Sequence, residues 1–232
     1  MNQNVPGKER FEEAYAGKPP WDIGKPQPPF VEAASAITGS ILDTGCGTGE
    51  NALFFAERGH KVTGIDFLAK PIAEAKEKAQ QRGLQANFLV MDALALSQIP
   101  QLFDSVIDCG LFHVFSDDDR RKYVGELASV VKPAGGLFLL CFSDKEPPGD
   151  GPRRVTRPEI FDTFSNGWKV ESIRESRFEV RPELEDMHFS EGGPFAWFCV
   201  IRRSVSSVVP SSFHWLRLGG ARFSAGCSFC RR

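Results

Sequence analysis

Apolar and polar positions divide this chain into a polar, proline-dotted opening, a long middle in which short apolar runs alternate with amphipathic stretches, and a differently patterned end. Residues 1–29 close on PPWDIGKPQPP, and their pattern predicts a short helix near residues 9–15 and then extended chain. From 30 to about 142, ILDT (41–44), KVTGID (61–66), ANFLVMD (86–92), FDSVIDCG (103–110) and GGLFLLCFS (135–143) read as buried strands. Between them, ENALFFAERG (50–59) and LAKPIAEAKEKAQQRG (68–83) read as helices closed by glycine. SDDDRRKYVGELASVVK (116–132) starts with Ser116 as N-cap and three acids where the helix dipole favours them. Five strands joined by short helices predict an α/β, Rossmann-like doubly wound sheet, mostly parallel. In the last part, TRPEIFDTF (156–164) has capping-box spacing, and the alternating WKVESIRESRFEV (168–180) and PFAWFCVIRR (194–203) predict an antiparallel C-terminal hairpin at one sheet edge. The expected organisation is an N-terminal segment (1–29), one domain (30–203) and a tail (204–232).

Composition narrows this picture. At 232 residues, 41% hydrophobic and 25% charged, the chain matches a single globular domain. Its net charge of -2 gives no reason to expect nucleic acid or a membrane surface as partner. No apolar run approaches the roughly 20 residues of a membrane span, and the first residues lack a signal-peptide core. Four of the six cysteines (Cys46, Cys109, Cys141, Cys199) lie in apolar or motif stretches, as reduced thiols do, so a cytoplasmic location is expected. The tail has four arginines and no acid, and reads as disordered or loosely attached. Its Cys227 and Cys230 form a lone CxxC with no second ligand pair, so no metal is expected.

The chemistry concentrates in LDTGCGTGENALFFAERGHKVTGID (42–66). In open α/β sheets ligands sit beyond the carboxyl ends of the strands, where Asp43, Gly45, Cys46, Gly47 and Gly49 lie. The glycines let the backbone turn tightly and approach a ligand closely. Asp66, at the next strand end, suits two ribose hydroxyls because a carboxylate offers acceptors only. A dinucleotide fingerprint would need glycine where Glu50 stands, and acids at 43 and 50 oppose a pyrophosphate. Asp43 suits a cationic amino group or a water. A ligand with a ribose, an adenine and an amino-acid end is S-adenosylmethionine.

Residues 41–142 resemble the class I S-adenosylmethionine-dependent methyltransferases, through LDTGCGTG (42–49), GIDF (64–67), VMDAL (90–94) and VVKPAGGLFLL (130–140) in the family's order. The resemblance implies that Gly45, Gly47 and Gly49 carry the cofactor's methionine end and sugar, and Asp66 and Phe67 its ribose and adenine. It implies that Asp92 and Ala93 face the adenine amino edge and that Asp108, Cys109 and Gly110 line the methyl side. Enzymes that methylate amide or base nitrogens resemble one another in an [DNS]-P-P-[YFW] tetrapeptide where this chain has Asp108-Cys109-Gly110-Leu111, so DNA bases and protein glutamine are not expected as acceptors.

AGKPPWDIGKP (16–26) resembles the W-D-x-G-x-P segment of thiopurine, thiocyanate and halide methyltransferases, and more closely that of bacterial enzymes detoxifying hydroxylated heterocycles such as quinolones. By that resemblance the segment folds over the cofactor and Trp21 faces the sulfonium, an indole–cation attraction of roughly 0.5–2 kcal/mol. The expected acceptor is a small, flat, apolar molecule methylated on O or S. Phe112, Phe142, Arg153, Arg154 and His188 are candidate acceptor contacts, with 145–155 as a lid. His113, just after the fourth strand, is the candidate general base, with Asp22 to orient it or take the proton. A monomer or homodimer is expected. Three other readings stand beside this one: a thiol, thiocyanate or halide methyltransferase, a nicotinamide-dependent oxidoreductase, and a protein that binds the cofactor without turnover.

Overall fold

The computed structural model describes residues 6–149, 151–181 and 188–205; the tail beyond 205, with Cys227 and Cys230, lies outside the described residues. The elements are α1 (Lys8–Ala16), α2 (Pro28–Glu32), β1 (Ser40–Thr44), α3 (Glu50–Glu57), β2 (Lys61–Asp66), α4 (Ala69–Gln81), β3 (Asn87–Val90), β4 (Phe103–Cys109), α5 (Asp117–Val130), β5 (Val131–Phe142), α6 (Arg157–Thr163), β6 (Trp168–Arg177) and β7 (Phe195–Arg203). The seven strands form one sheet in the order β3-β2-β1-β4-β5-β7-β6. The first five pair in parallel, and β7 pairs antiparallel with both β5 and β6. This is the doubly wound sheet with an antiparallel edge hairpin that the alternation predicts.

Strand alternation builds two cores, one on each face. Leu42, Val106, Leu137, Leu139 and Trp197 face α5 and α6, while Ile41, Ile107, Phe138, Leu140 and Phe198 face α3, α4 and Phe30 of α2. Successive residues of a strand point to opposite faces, so a sheet covered on both sides reads as a continuous apolar run. At the N-terminus of α5, Ser116 Oγ accepts from the Asp119 amide at 3.1 Å. The Thr156–Glu159 capping box closes on α6.

Three boundaries differ from the pattern. Helix α2 occupies PPFVE, where extended chain was expected, because its two prolines fill the first helical positions, whose N–H groups have no helical partner anyway. Helix α5 stops at Val130 because Lys132 precedes Pro133 and is driven out of the α region. β5 therefore begins at Val131, with a bulge before Gly136. Between β3 and β4 the crossover is a 3-10 turn (Ala93–Gln98) rather than an α-helix. In register, Thr44 stands opposite Ile65 and Asp108, and Asp66 opposite Val90, which gathers the β1, β2, β3 and β4 ends at one sheet edge.

Candidate functional site

At that edge lies a cavity of about 410 Å³ lined by the glycine turn, the strand ends, the N-terminal segment and the chain after β6. Gly45 and Gly47 both have positive φ (66° and 53°). A Cβ on Gly45 would lie 3.2 Å from Leu111, and one on Gly47 would lie 2.6 Å from the Tyr15 hydroxyl. The turn is tied to β2 by the Cys46 amide donating to the Ile65 carbonyl at 2.8 Å. Asp66 Oδ2 accepts from the Gly47 amide (3.1 Å) and Oδ1 from the Leu68 amide (2.9 Å). Each oxygen carries only one of these bonds, so both keep acceptor capacity on a residue that lines the cavity, as two ribose hydroxyls require. Burial raises the Asp66 pKa, against these backbone donors.

The cradle fits an adenosyl sulfonium. Beside Asp66, the cavity wall continues through Phe67, Met91, Asp92, Ala93 and Leu94, where Asp92 Oδ1 caps the following turn by accepting from the Leu94 amide at 2.8 Å. Cys46, Cys109, Gly110, Trp21 and Asp22 also line it. Glu50 does too, but its carboxylate pairs with Lys78 (2.8 Å) and Arg82 (3.0 Å). The case against a pyrophosphate therefore rests on the glycine pattern, not on a bare charge at Glu50.

Three candidates sit behind the lining. Gly49 (φ 84°) begins α3 where a Cβ would meet the Ala75 Cβ at 2.9 Å and the Phe88 ring at 3.0 Å, so its smallness serves packing between α4 and β3. Asp108 is sealed from solvent, accepts from the Leu111 and Phe112 amides (2.9 and 3.2 Å) and the Tyr123 hydroxyl (3.0 Å), and so shapes the turn that carries His113. Burial raises its pKa to about 7. Asp43, also at 0% exposure, has neither oxygen hydrogen-bonded, although the Ala52 amide faces it. Burial, then the neighbouring Asp108, hold its pKa well above the carboxylate range.

The N-terminal segment forms the roof. Tyr15, which the sequence reading did not single out, is buried over the glycine turn and accepts a hydrogen bond from Trp21 Nε1 at 3.2 Å; burial raises its pKa, with Asp66 adding to the effect. Trp21 packs edge-on against Phe11 and Tyr15 (centroids 6.1 and 6.0 Å), and Phe11 against Phe67 (5.7 Å). The indole, still 42% exposed, is thus an anchor in an aromatic cluster as well as a wall residue. The i, i+4 spacing of Phe11 and Tyr15 was the available signal. Gln27 clasps the roof to the chain after β6: its Nε2 donates to the Glu179 carbonyl (2.8 Å) and its Oε1 accepts from the Glu179 amide (2.9 Å).

At the other end His113, Phe115, Phe142, Phe178 and Phe189 line the cavity. Phe142 touches His113, Phe178 and Phe189 with centroids 5.1, 5.2 and 5.7 Å apart. His113 is not placed as a base. Its Nδ1 accepts from the Phe142 amide at 3.0 Å, and burial, with Arg120 and Arg154 adding, pushes its pKa down to about 3. Asp22 does not orient it; its carboxylate accepts instead from the Gly24 amide at 3.4 Å.

Four acceptor candidates fall outside the lining. Phe112 is fully buried, stacked on Phe164 and covered by the Arg120 guanidinium. Arg153 ties the loop after β5 to Asp117 (2.6 Å) and Glu159. Arg154 donates to the Pro147 and Pro152 carbonyls and lies over the Phe142 ring, 5.4 Å from its centroid. His188 is exposed and does not line the cavity, although its neighbour Phe189 does.

Comparison with known proteins identifies the family. A family profile described as a methyltransferase domain matches residues 41–135. A 2-heptyl-1-hydroxyquinolin-4(1H)-one methyltransferase of Mycobacteroides abscessus is 32% identical over 83% of this chain and 88% of its own length. A probable thiol methyltransferase of Arabidopsis thaliana is 29% identical over 78% of this chain and 82% of its own. A solved structure described as "Conversion of a Disulfide Bond into a Thioacetal Group during Echinomycin Biosynthesis" is 37% identical, with a TM-score of 0.76 over 87% of this chain and 94% of that one.

Proposed function

Because the chain belongs to the class I S-adenosylmethionine-dependent methyltransferases, we propose that it methylates oxygen or sulfur of a small aromatic or heterocyclic molecule, a modification suited to detoxification. The observation that carries this reading is the aromatic end of the cavity, where Phe142, Phe178 and Phe189 form walls for a flat apolar ring. Its similarity to the hydroxyquinolone enzyme supports the same acceptor class.

In this reading Asp66 holds the ribose, Gly45 and Gly47 let the backbone reach the amino-acid end, and Asp92 and Ala93 border the adenine. The bound cofactor supplies an electrophilic methyl carbon on a sulfonium. The protein's part is placement: Tyr15 and Trp21 close the roof, and the phenylalanines orient the acceptor. Fixing two reactants in line is worth up to about 7–11 kcal/mol over free collision. The enzyme works as a monomer or homodimer in the cytoplasm, on a small molecule rather than nucleic acid. The described helices include none long and apolar enough to cross a membrane.

A thiol, thiocyanate or halide acceptor is the second reading. It is favoured by the similarity to the thioacetal-forming structure and the thiol enzyme. Thiols are partly ionised near neutrality and need little help from a base.

Mass spectrometry after incubation with S-adenosylmethionine and a panel of hydroxyquinolones, thiols and halides tests both readings. Methylated hydroxyquinolone is the expected product; methylation confined to thiols or halides would replace the first reading with the second. Calorimetry with S-adenosylhomocysteine and NAD, on wild type and Asp66→Ala, checks the cofactor site: affinity for the adenosyl ligand alone, lost in the variant, is expected.

A further inference from the structure

We propose that His113 is a fixed hydrogen-bond donor to the methyl acceptor, through Nε2–H, and that it selects acceptors already ionised at oxygen. This rests on the reading of the site as one for small heterocyclic acceptors. A peptide N–H can only donate, so the 3.0 Å contact from the Phe142 amide makes Nδ1 the lone-pair nitrogen. A neutral imidazole has one proton, which must then be on Nε2. For His113 to act as a base from the cavity, the proton would have to move to Nδ1, where two N–H groups would face each other in a dry, aromatic setting.

The Nε2 edge is turned to the cavity. It lies against Gly110, where a Cβ would come within 3.3 Å of Cε1 and 3.4 Å of Nε2, so the glycine (φ 86°) leaves that edge uncovered. Among the described residues, none hydrogen-bonds to Nε2. Yet, among the described residues, the sealed polar atoms without partners belong only to Asp43 and Arg120. The Nε2–H therefore opens onto the space lined by His113, Phe142, Phe178 and Phe189.

Phe142 and Phe178 grip the ring edge-on, at 71° and 61°. Arg120 from α5 and Arg154 from the loop after β5 both oppose a positive charge on it. Asp22 and Glu179 line the same cavity but make no hydrogen bond to the ring. Donor capacity persists across the physiological range, because the ring stays neutral down to about pH 3.

The acceptor thus loses its proton to solvent before binding. Its oxygen lone pair forms the new C–O bond as the donor's C–S bond breaks toward sulfur. An anion and a sulfonium become two neutral products, and no proton is left for the protein to take.

Long-range 1H–15N spectra of the histidine-labelled protein, with and without S-adenosylhomocysteine, read the tautomer directly, His113→Gln assigning the signal. The expected result is a neutral Nε2–H ring that does not titrate between pH 5 and 9. An Nδ1–H tautomer, or a titration midpoint in that window, overturns the proposal. In kinetics, the pH limb of kcat/KM should move with the acceptor's own pKa across hydroxy-heterocycles of graded acidity. His113→Leu should raise acceptor KM about 10- to 100-fold, the worth of a hydrogen bond to an anion, with the limb unmoved. A limb at one pH for every acceptor, abolished in the variant, would restore His113 as a base. If no hydroxy-heterocycle is turned over, the acceptor reading fails, while the spectra still decide the state of His113.

Discussion

Replacing Gly47 by alanine tests the roofed cradle most directly. The backbone there has φ 53°, a region that costs a residue bearing a Cβ about 1–2 kcal/mol, partly offset by the stiffer unfolded chain. The new Cβ would also sit 2.6 Å from the Tyr15 hydroxyl, but 3.8 Å from the ring carbon that bears it. Only the oxygen clashes. Tyr15 cannot yield freely, because it is buried, its hydroxyl accepts from Trp21 Nε1, and its carbonyl accepts from Lys70. Displacing it gives up at least the Trp21 bond, about 0.5–1.5 kcal/mol. Since Tyr15 and Trp21 line the same cavity as the glycine turn and Asp66, we expect S-adenosylhomocysteine affinity, measured by calorimetry, to fall about 10-fold or more. In a Tyr15→Phe background the clashing atom is gone, and the same alanine should cost only its backbone part, leaving a coupling energy of about 1 kcal/mol in the double-mutant cycle. Unchanged binding in Gly47→Ala, or equal losses in both backgrounds, would refute the placement of Tyr15 over the turn.

Further predictions concern the groups behind the cradle. Asp108, raised to about 7 by burial, keeps its proton in the folded state while an unfolded carboxyl releases it near pH 4. Its contribution to stability is therefore lost as pH rises from about 4 to 7, by at most about 4 kcal/mol. Asp108→Asn should flatten that stretch of the stability–pH curve in thermal melts, and parallel curves would contradict the assignment. Gly49→Ala should lower stability by about 1–3 kcal/mol in denaturant melts, since Ala75 and Phe88 leave no room for a Cβ. Gln27→Ala strands the Glu179 amide and carbonyl. It should accelerate hydrogen exchange in both the 20–27 and 178–181 segments, and a change in only one of them would disprove the clasp.

Much of this was legible in the chain, for reasons that also explain the gaps. Buried parallel strands need unbroken apolar runs, so β1, β2, β4 and β5 announce themselves, and Ser116 and Thr156 mark helix starts through local hydrogen bonds alone. The turn after β1 is visible because only glycine tolerates its φ values. Side-chain direction is another matter. Phe112 and Phe142 are the same residue type near the same strand ends, yet one stacks in the core and the other faces the cavity. Arg153 and Arg154 carry the right charge for an acceptor's oxygen, but Asp117, Glu159 and two proline carbonyls engage them. The role of His113 turns on which backbone amide points at Nδ1, a partner 29 residues away, and no local spacing encodes that. The role of Tyr15 is not written in its local sequence, because it comes from the glycine it covers and not from its own neighbours in the chain.

The reciprocal pair between Gln27 and Glu179 joins the first segment of the chain to the wall beside the acceptor rings. If the proposed function holds, a ligand that braces one side of this clasp also braces the other, and linkage requires any such gain to be returned by the same factor. A protein fastened this way should bind its acceptor more tightly once the adenosyl group is in place, which biases it toward an ordered sequence of arrival and departure.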